Sequence, residues 1–382
     1  MIDLNTKKIG ILGAGQLGRM FALASANLGI HPYFLDKQSD FPAGLISHQI
    51  TEGDFTNYDD VLSFGLDKDI LTIEIENVNT DALLTLEEKG VQIYPQANII
   101  ELIKDKGKQK QFYKENHFPS SKFILYENKI EVLKDLENGS IYFPFVQKLR
   151  TEGYDGKGVL VVKSQADSDQ LFDKPSVIEE LVDIDKELAV IVARNKKGET
   201  NSFPVVEMVF DPIANLVDYL KYPANLQNQI KEKCRSIADQ MAQKIDLIGI
   251  LAIEFFLTKS GELLINEMAP RTHNSGHFSM DACITSQFEQ HLRAICDLPL
   301  GSTEANTPCI MLNILGPNDY VGPAKYPWLP EILKIKGVKP HIYGKKTSKP
   351  YRKLGHINII HQNDLSLVTN LNKVKSIIKN ET

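Results

Sequence analysis

Near the start of the chain, Gly13-x-Gly15-x-x-Gly18 follows the apolar run Lys8-Ile-Gly-Ile-Leu12 and opens a helical stretch from Gln16 to Leu28. Glycine at those three places lets a strand pass almost directly into a helix, so this segment is held to a strand–turn–helix unit. His31-Pro-Tyr-Phe-Leu35 and Asp69-Ile-Leu-Thr-Ile-Glu-Ile75 read as two further strands with helical stretches between them. That alternation predicts a parallel sheet. Asp36 ends the second strand where an acidic residue can hold a ribose 2′-hydroxyl, which completes a dinucleotide fingerprint. The turn's physics, however, is only that of a helix N-terminus able to receive an anion. An NAD-dependent oxidoreductase is therefore one reading, resting on Gly13, Gly15, Gly18 and Asp36.

At 382 residues the chain exceeds what one hydrophobic core usually organises, and two or three domains are expected. Pro95 and the charged run Lys104 to Lys110 mark a change of domain. Beyond them the pattern turns to β-pairs, Phe143 to Leu149 against Val159 to Lys163 and Glu187 to Val192 against Ser202 to Val206. A helix from about Asn225 to Ile245 and a tight hairpin from Ile250 to Glu267 follow, which suggests an α+β domain. After Pro299, short strands and a basic segment ending near His361 make a small closing domain. Asn313 to Pro330, rich in proline and glycine, reads as an ordered loop or linker.

Charge and composition narrow the chemistry. Net charge is −6, so the surface as a whole repels nucleic acid and any phosphate site must be built locally. Arg19 and several glycines interrupt the apolar stretch Lys7 to Ile30 well before the roughly 20 residues that a membrane span needs, and no secretory cleavage pattern is present. Cys234, Cys283, Cys296 and Cys309 lie far apart without a C-x-x-C pair, which fits a reducing cytoplasm.

Four features ask for ATP and a divalent metal. Lys148 ends one strand, and the loop Arg150-Thr-Glu-Gly153-Tyr-Asp-Gly156-Lys-Gly158 that follows has three glycines free to turn backbone N–H groups toward phosphate, with Lys157 adding charge. Its spacing is not that of a Walker loop, and an ordinary glycine-rich hairpin turn is the plain alternative. Val177-Ile-Glu179-Glu180-Leu181-Val182 runs from a strand into a connector whose backbone can read an adenine edge, and Glu187 beyond it can accept from ribose hydroxyls. In the hairpin Ile250 to Glu267, a turn centred on Ser260-Gly261 places Glu254 opposite Glu267, with Ala252, Phe256, Leu263 and Ile265 on the same face. Facing carboxylates among apolar neighbours call for a cation, and Mg²⁺ with phosphate oxygens meets that need. A slipped register with one glutamate exposed is the alternative. Met268-Ala-Pro-Arg271-Thr-His273-Asn274-Ser275-Gly276-His277 follows directly. Two histidines four apart could hold zinc, but Pro270 and Gly276 favour a loop whose Arg271, His273 and Asn274 donate to an anionic substrate.

Ile11 to Met20, Glu74-Ile-Glu-Asn77, Glu152 to Gly158, Asn266 to His277 and Ser286 to Ala294 together resemble, in order and over nearly the whole chain, the N5-carboxyaminoimidazole ribonucleotide synthetase family of the ATP-grasp superfamily. The resemblance implies an α/β and α+β protein of ATP-grasp architecture. It would have a Rossmann-like parallel-sheet domain at 1–104, a central ATP-grasp domain at 105–298 and a small β-rich C-terminal domain at 299–382. It further implies a cytoplasmic homodimer that uses ATP and Mg²⁺ to join bicarbonate to the exocyclic amine of aminoimidazole ribonucleotide through carboxyphosphate.

Carried over by position, Lys106 and Lys148 resemble the phosphate lysines and Gly153, Gly156 and Gly158 the lid. Glu179, Glu180, Leu181 and Val182 resemble the adenine connector, Glu187 the ribose contact, and Asn266 a further nucleotide contact. Glu254 and Glu267 resemble the metal ligands. Tyr154, Asp155, Lys157 and Arg271 look like the reacting-centre residues, with Tyr154 and Asp155 orienting the aminoimidazole. Gln16, Leu17, Glu76, His273, Asn274, Lys345 and Arg352 look like the ribonucleotide contacts, Gln16 and Leu17 with the glycine turn at the helix N-terminus. Three positions depart from the family pattern: Lys106 stands for arginine, Glu152 for glycine and Phe210 for histidine. A phosphoribosylglycinamide ligase, a formate-using transformylase and a non-catalytic nucleotide-binding module are the neighbouring readings.

Overall fold

The computed structural model describes residues 7–38, 41–151, 158–211 and 216–381. Contacts divide the chain into two compact units, one from residues 1–100, 189–252 and 269–382, the other from 101–188 and 253–268. The first unit opens with strand β1 (Ile9–Leu12), helix α1 (Gln16–Ala26), β2 (Tyr33–Asp36), β3 (Ile50–Glu52), α2 (Tyr58–Gly65), β4 (Ile70–Ile73), α3 (Thr80–Glu88) and β5 (Gln92–Ile93). The five strands form a parallel sheet in the order β3-β2-β1-β4-β5. All four residues of β1 and of β4 are buried, as expected where helices cover both faces.

The chain continues through α4 (Ala97–Lys104) and α5 (Lys106–Glu115), β6 (Phe123–Tyr126), α6 (Lys129–Glu137), β7 (Phe145–Leu149), β8 (Val159–Val162) and β9 (Ser176–Glu180). The second unit's sheet is antiparallel in the order β6-β9-β7-β8, with Phe145 facing Val162 and Lys148 facing Val159 in the predicted hairpin. The basic run read as a domain change is the start of α5. Asp105 caps it, accepting from Gly107 N at 2.7 Å and Lys108 N at 3.2 Å, while Arg150 donates to the same carboxylate from Nε and Nη2. This cap decides where Lys106 and Lys110, one turn apart, present their ammoniums.

Next come β10 (Ile184–Arg194), β11 (Thr200–Ser202), β12 (Val206–Phe210), β13 (Val217–Tyr222), α7 (Asn228–Lys244), β14 (Gly249–Thr258), β15 (Leu263–Ala269), α8 (Ser279–Ala282) and α9 (Gln287–Ile295). The remainder is β16 (Cys309–Leu315), β17 (Gly322–Pro323), α10 (Leu329–Ile332), β18 (Val338–Ile342), β19 (Thr347–Ser348), β20 (Lys353–Ile360) and α11 (Asp364–Glu381). Within the first unit, Phe288, Leu292 and Ile295 of α9 enter the same core as Ile9, Ile11, Phe34 and Ile70.

Two expectations change here. Asn313 lies within β16 rather than opening a loop, because its buried amide is satisfied: Nδ2 donates to Val217 O at 2.7 Å. The C-terminal part also ends in a long helix, whose Leu367, Leu371 and Val374 cover Ile357 and Ile359 of β20.

Candidate functional site

In the first unit the glycine turn is already filled. Gly15 N donates to Glu74 Oε1 at 2.7 Å and Gly18 N to Glu74 Oε2 at 2.5 Å, so the amides that could cradle a phosphate hold the chain's own carboxylate. Asp36 accepts from Ala14 N and Lys37 N, both at 2.7 Å, and is spent on the same turn. The glycines are required by this contact: a Cβ on Gly15 would stand 2.3 Å from Glu74 Oε1 and one on Gly18 2.8 Å from Oε2. The dinucleotide reading is thereby corrected, since a dinucleotide phosphate there would meet a carboxylate. Leu17 packs into the core, and Gln16 occupies the first helical position. Burial pushes Glu74 up to about 7, against the lowering effect of the two amides.

The substrate candidates of this unit fall into smaller groups. Arg271 pairs through Nε with Glu76 Oε1 at 2.9 Å. His273 is fixed by Gln287, which accepts from its backbone N at 2.9 Å and donates to its carbonyl at 2.8 Å; Nδ1 contacts Ser275 Oγ at 2.9 Å. Asn274 exchanges amide hydrogen bonds with Asn313. Lys345 lies over the Tyr343 ring at 5.9 Å and its charge reaches Glu74. Arg352 Nη1 donates to Thr347 O at 3.0 Å and Oγ1 at 2.6 Å. His277 is buried and stacks on His356 with ring centroids 4.6 Å apart, which suits a packed imidazole. Phe210 packs beside Val206, Met208 and Leu220.

The second unit holds a narrow cavity lined by Lys106, Gln109, Lys110, Tyr113, Lys148, Glu179, Asn266 and Glu267. Five of the expected nucleotide and metal residues converge there: Lys106, Lys148, Glu179, Asn266 and Glu267. Lys106 Nζ pairs with Glu267 Oε2 at 2.5 Å, and Lys148 Nζ donates to Asn266 Oδ1 at 2.9 Å and lies 3.2 Å from Glu179 Oε1. Burial opposes the charge on Lys106, yet Glu267, Glu254 and Glu179 hold its pKa above the ordinary lysine value. Burial, reinforced by Glu267 and opposed by Lys148, pushes Glu187 up to about 7. Glu180 is exposed toward Lys122, Leu181 is exposed, and Val182 is half-buried. Gly158 is left-handed at φ 73°, and its carbonyl accepts from Leu149 N at 2.8 Å. Glu152, Gly153, Tyr154, Asp155, Gly156 and Lys157 lie outside the described residues.

The hairpin register differs by one residue from the expected one. Gly261, at φ 85°, donates to Thr258 O at 2.9 Å, and Thr258 N donates to Glu262 O at 2.8 Å. The chain thus turns through three residues with a glycine bulge, not through two. At the turn this register pairs Thr258 with Glu262 rather than with Leu263. Asn266 and Phe256 both reach Lys148, the ring at 5.9 Å. Glu254 and Glu267 nevertheless both act on Lys106. Lys110, Gln109, Tyr113 and Ser121 were not singled out by sequence. Lys110 was hidden within a run of like charges, although its spacing of four from Lys106 is a usable helical signal.

Comparison with known proteins covers the chain in three pieces. Residues 6–104 match the ribonucleotide synthetase preATP-grasp domain, 111–288 the ATP-grasp domain, and 309–369 the phosphoribosylaminoimidazole carboxylase C-terminal domain. The chain is 36% identical to the N5-carboxyaminoimidazole ribonucleotide synthase of Bacillus subtilis, over 93% of this chain and 91% of that protein. It spans about two thirds of the length of fungal relatives named phosphoribosylaminoimidazole carboxylase, 67% in Ogataea methanolica and 64% in Candida albicans. The crystal structure of N5-carboxyaminoimidazole ribonucleotide synthetase from Thermotoga maritima matches with TM-score 0.89 and 38% identity, covering 97% of this chain and 98% of that one. The Aspergillus clavatus enzyme, solved with ADP and 5-aminoimidazole ribonucleotide, matches with TM-score 0.90 and 30% identity, covering 99% and 100%.

Proposed function

Because this chain belongs to the N5-carboxyaminoimidazole ribonucleotide synthase family of ATP-grasp proteins, we propose that it is a carbon–nitrogen ligase that carboxylates 5-aminoimidazole ribonucleotide with bicarbonate at the expense of ATP. The observation that carries this reading is the second unit's cavity, where Lys106 and Lys148 converge with Glu179, Glu267 and Asn266. Lysines provide the point charges that phosphate oxygens need, and oxygen donors suit a hard divalent cation.

The residues fit Mg²⁺. Glu267 and Glu254 supply carboxylate oxygens in the field of one ammonium, a donor set of hard oxygens without thiolate or imidazole. Bound there, Mg²⁺ would neutralise phosphate oxygens of ATP. Lys106 pairs with Glu267 and would become available to phosphate once that carboxylate takes another partner. Lys148 faces the cavity beside Asn266 and steadies a phosphoryl group. The connector Glu179 to Val182 offers its backbone to adenine, and Glu187 accepts from ribose hydroxyls. In the reaction, a bicarbonate oxygen attacks the γ-phosphorus and ADP leaves. The substrate amine then attacks the carboxyl carbon of the resulting carboxyphosphate, or the carbon of the CO2 it releases; phosphate leaves and the amine gives up a proton as the carbamate forms. Arg271, His273, Lys345 and Arg352 serve the ribonucleotide, with Glu76 holding Arg271 in place.

The same reading makes the working form a cytoplasmic homodimer, in keeping with four unbridged cysteines; light scattering on purified protein tests the dimer. No described helix is long and apolar enough to cross a membrane. The deciding assay measures phosphate release from ATP with bicarbonate, with and without aminoimidazole ribonucleotide. Release should require both, and equal rates with formate in place of bicarbonate would move the protein to the transformylases.

A further inference from the structure

Two of the three lysines lining the second unit's cavity have a role by resemblance; Lys110 has none. It is 2% exposed, donates to Ser121 Oγ at 2.8 Å and lies 3.1 Å from Glu179 Oε2. Ser121 Oγ donates to that same carboxylate oxygen at 2.6 Å. The other oxygen, Oε1, lies 3.2 Å from Lys148 Nζ, which also donates to Asn266. Glu179, itself 3% exposed, therefore has one oxygen tied to the protein interior and one turned to the lysine that faces the cavity.

We infer that Lys110 is a positioning residue, acting through Glu179 to keep Lys148 aimed into the nucleotide cavity. The inference rests on that cavity taking ATP. A buried carboxylate facing a single ammonium can rotate, share that cation between both oxygens or take up a proton, and each option releases Lys148 from a single geometry. A second ammonium on the opposite oxygen removes these alternatives. Burial opposes ionisation of Glu179, but Lys148, Lys110 and the Ser121 hydroxyl hold it below the ordinary carboxylate range. Burial also pushes Lys110 down to about 8, with Lys148 and Lys106 adding repulsion and Glu179 alone among its main neighbours favouring the charge. Tyr113 and Glu267 line the same cavity. Lys110 is buried and its ammonium is held by Ser121 and Glu179, so its effect on the nucleotide passes through the carboxylate.

The test is a double-mutant cycle on the full chain with Lys110→Met, Glu179→Gln and the pair together. Calorimetry reads ATP affinity with Mg²⁺, steady-state assays read KM for ATP and for the ribonucleotide, and melting without ligand reads folding. Lys110→Met should weaken ATP binding about tenfold, leave KM for the ribonucleotide within about twofold, and add nothing in the Glu179→Gln background. Wild-type affinity in Lys110→Met, or losses that add in the double variant, would overturn the inference. Failure of the unmutated protein to bind ATP would instead overturn the reading of the cavity itself. Should Lys110→Met not fold, Ser121→Ala removes the other group on the same oxygen. It should weaken ATP binding about threefold, and unchanged affinity there also counts against the inference.

Discussion

The two units each contain a place where the sequence offers an anion a home, and they differ in who occupies it. In the glycine turn, the amides of Gly15 and Gly18 are closed by Glu74, and Ala14 by Asp36. The chain has supplied the anion itself. In the second unit, Lys106 is balanced by the partly exposed Glu267, which under the proposed function exchanges partners when phosphate and metal arrive, while the buried Glu179 holds Lys148. Donors in a backbone turn are pre-aimed and, once satisfied by a buried carboxylate, resist exchange because the carboxylate would be left unpaired. Ammoniums on long side chains can change partner at lower cost. The first arrangement therefore serves structure, and the second is the one that the proposed function uses for ligands.

The sharpest break of this contrast is Glu267→Gln. Turnover at saturating Mg²⁺ should fall at least about 100-fold, because alignment and neutralisation of the phosphates lose a ligand, while the melting temperature without nucleotide stays near wild type. A variant that unfolds would give Glu267 the structural role of Glu74. Gly15→Ala probes the other side. Its Cβ would meet Glu74 Oε1 at 2.3 Å, and the variant should lose about 2 kcal/mol in urea denaturation, more than an exposed helix start would lose. A neutral result would show that the carboxylate can leave the turn.

Arg352→Ala should raise KM for the ribonucleotide roughly tenfold and KM for ATP much less, as expected for a lost charge-assisted contact. Equal changes in both would leave Arg352 as an anchor of Thr347 alone. A further effect concerns pH. Glu74 has a folded pKa of about 7 against an ordinary value of 4.5, so the folded state binds more protons than the unfolded one between those values. Stability from this group is present below about 4.5 and falls as pH rises through about 7. The urea midpoint of wild type should drop between pH 5 and 8 by a component that Glu74→Gln lacks; parallel slopes would show that Glu74 does not titrate there.

Local signals were read from the chain where their cause is local. The apolar runs at Ile9–Leu12 and Ile70–Ile73, the hairpin joining Lys148 to Val159, and the helix Asn228–Lys244 follow from periodicity and turn residues. The hairpin after Thr258 was read one residue out of register, because Ser260-Gly261 is compatible with both loop lengths and the left-handed Gly261 decides between them. The role of Lys110 is hidden in the sequence because a run of lysines looks like a solvated helix face until Glu179 is brought against it.

The sequence by itself determined the parallel sheet, the family, and which residue types could meet ATP and a metal, since these depend on local pattern and on motifs preserved in order. Only the tertiary structure decided that Glu74, 59 residues from Gly15, fills the glycine turn, and that Glu179, 69 positions beyond Lys110, joins it to Lys148. Those outcomes depend on which distant carboxylate reaches a donor first and satisfies it. No local propensity encodes that, because the competing partners are equivalent until packing chooses among them.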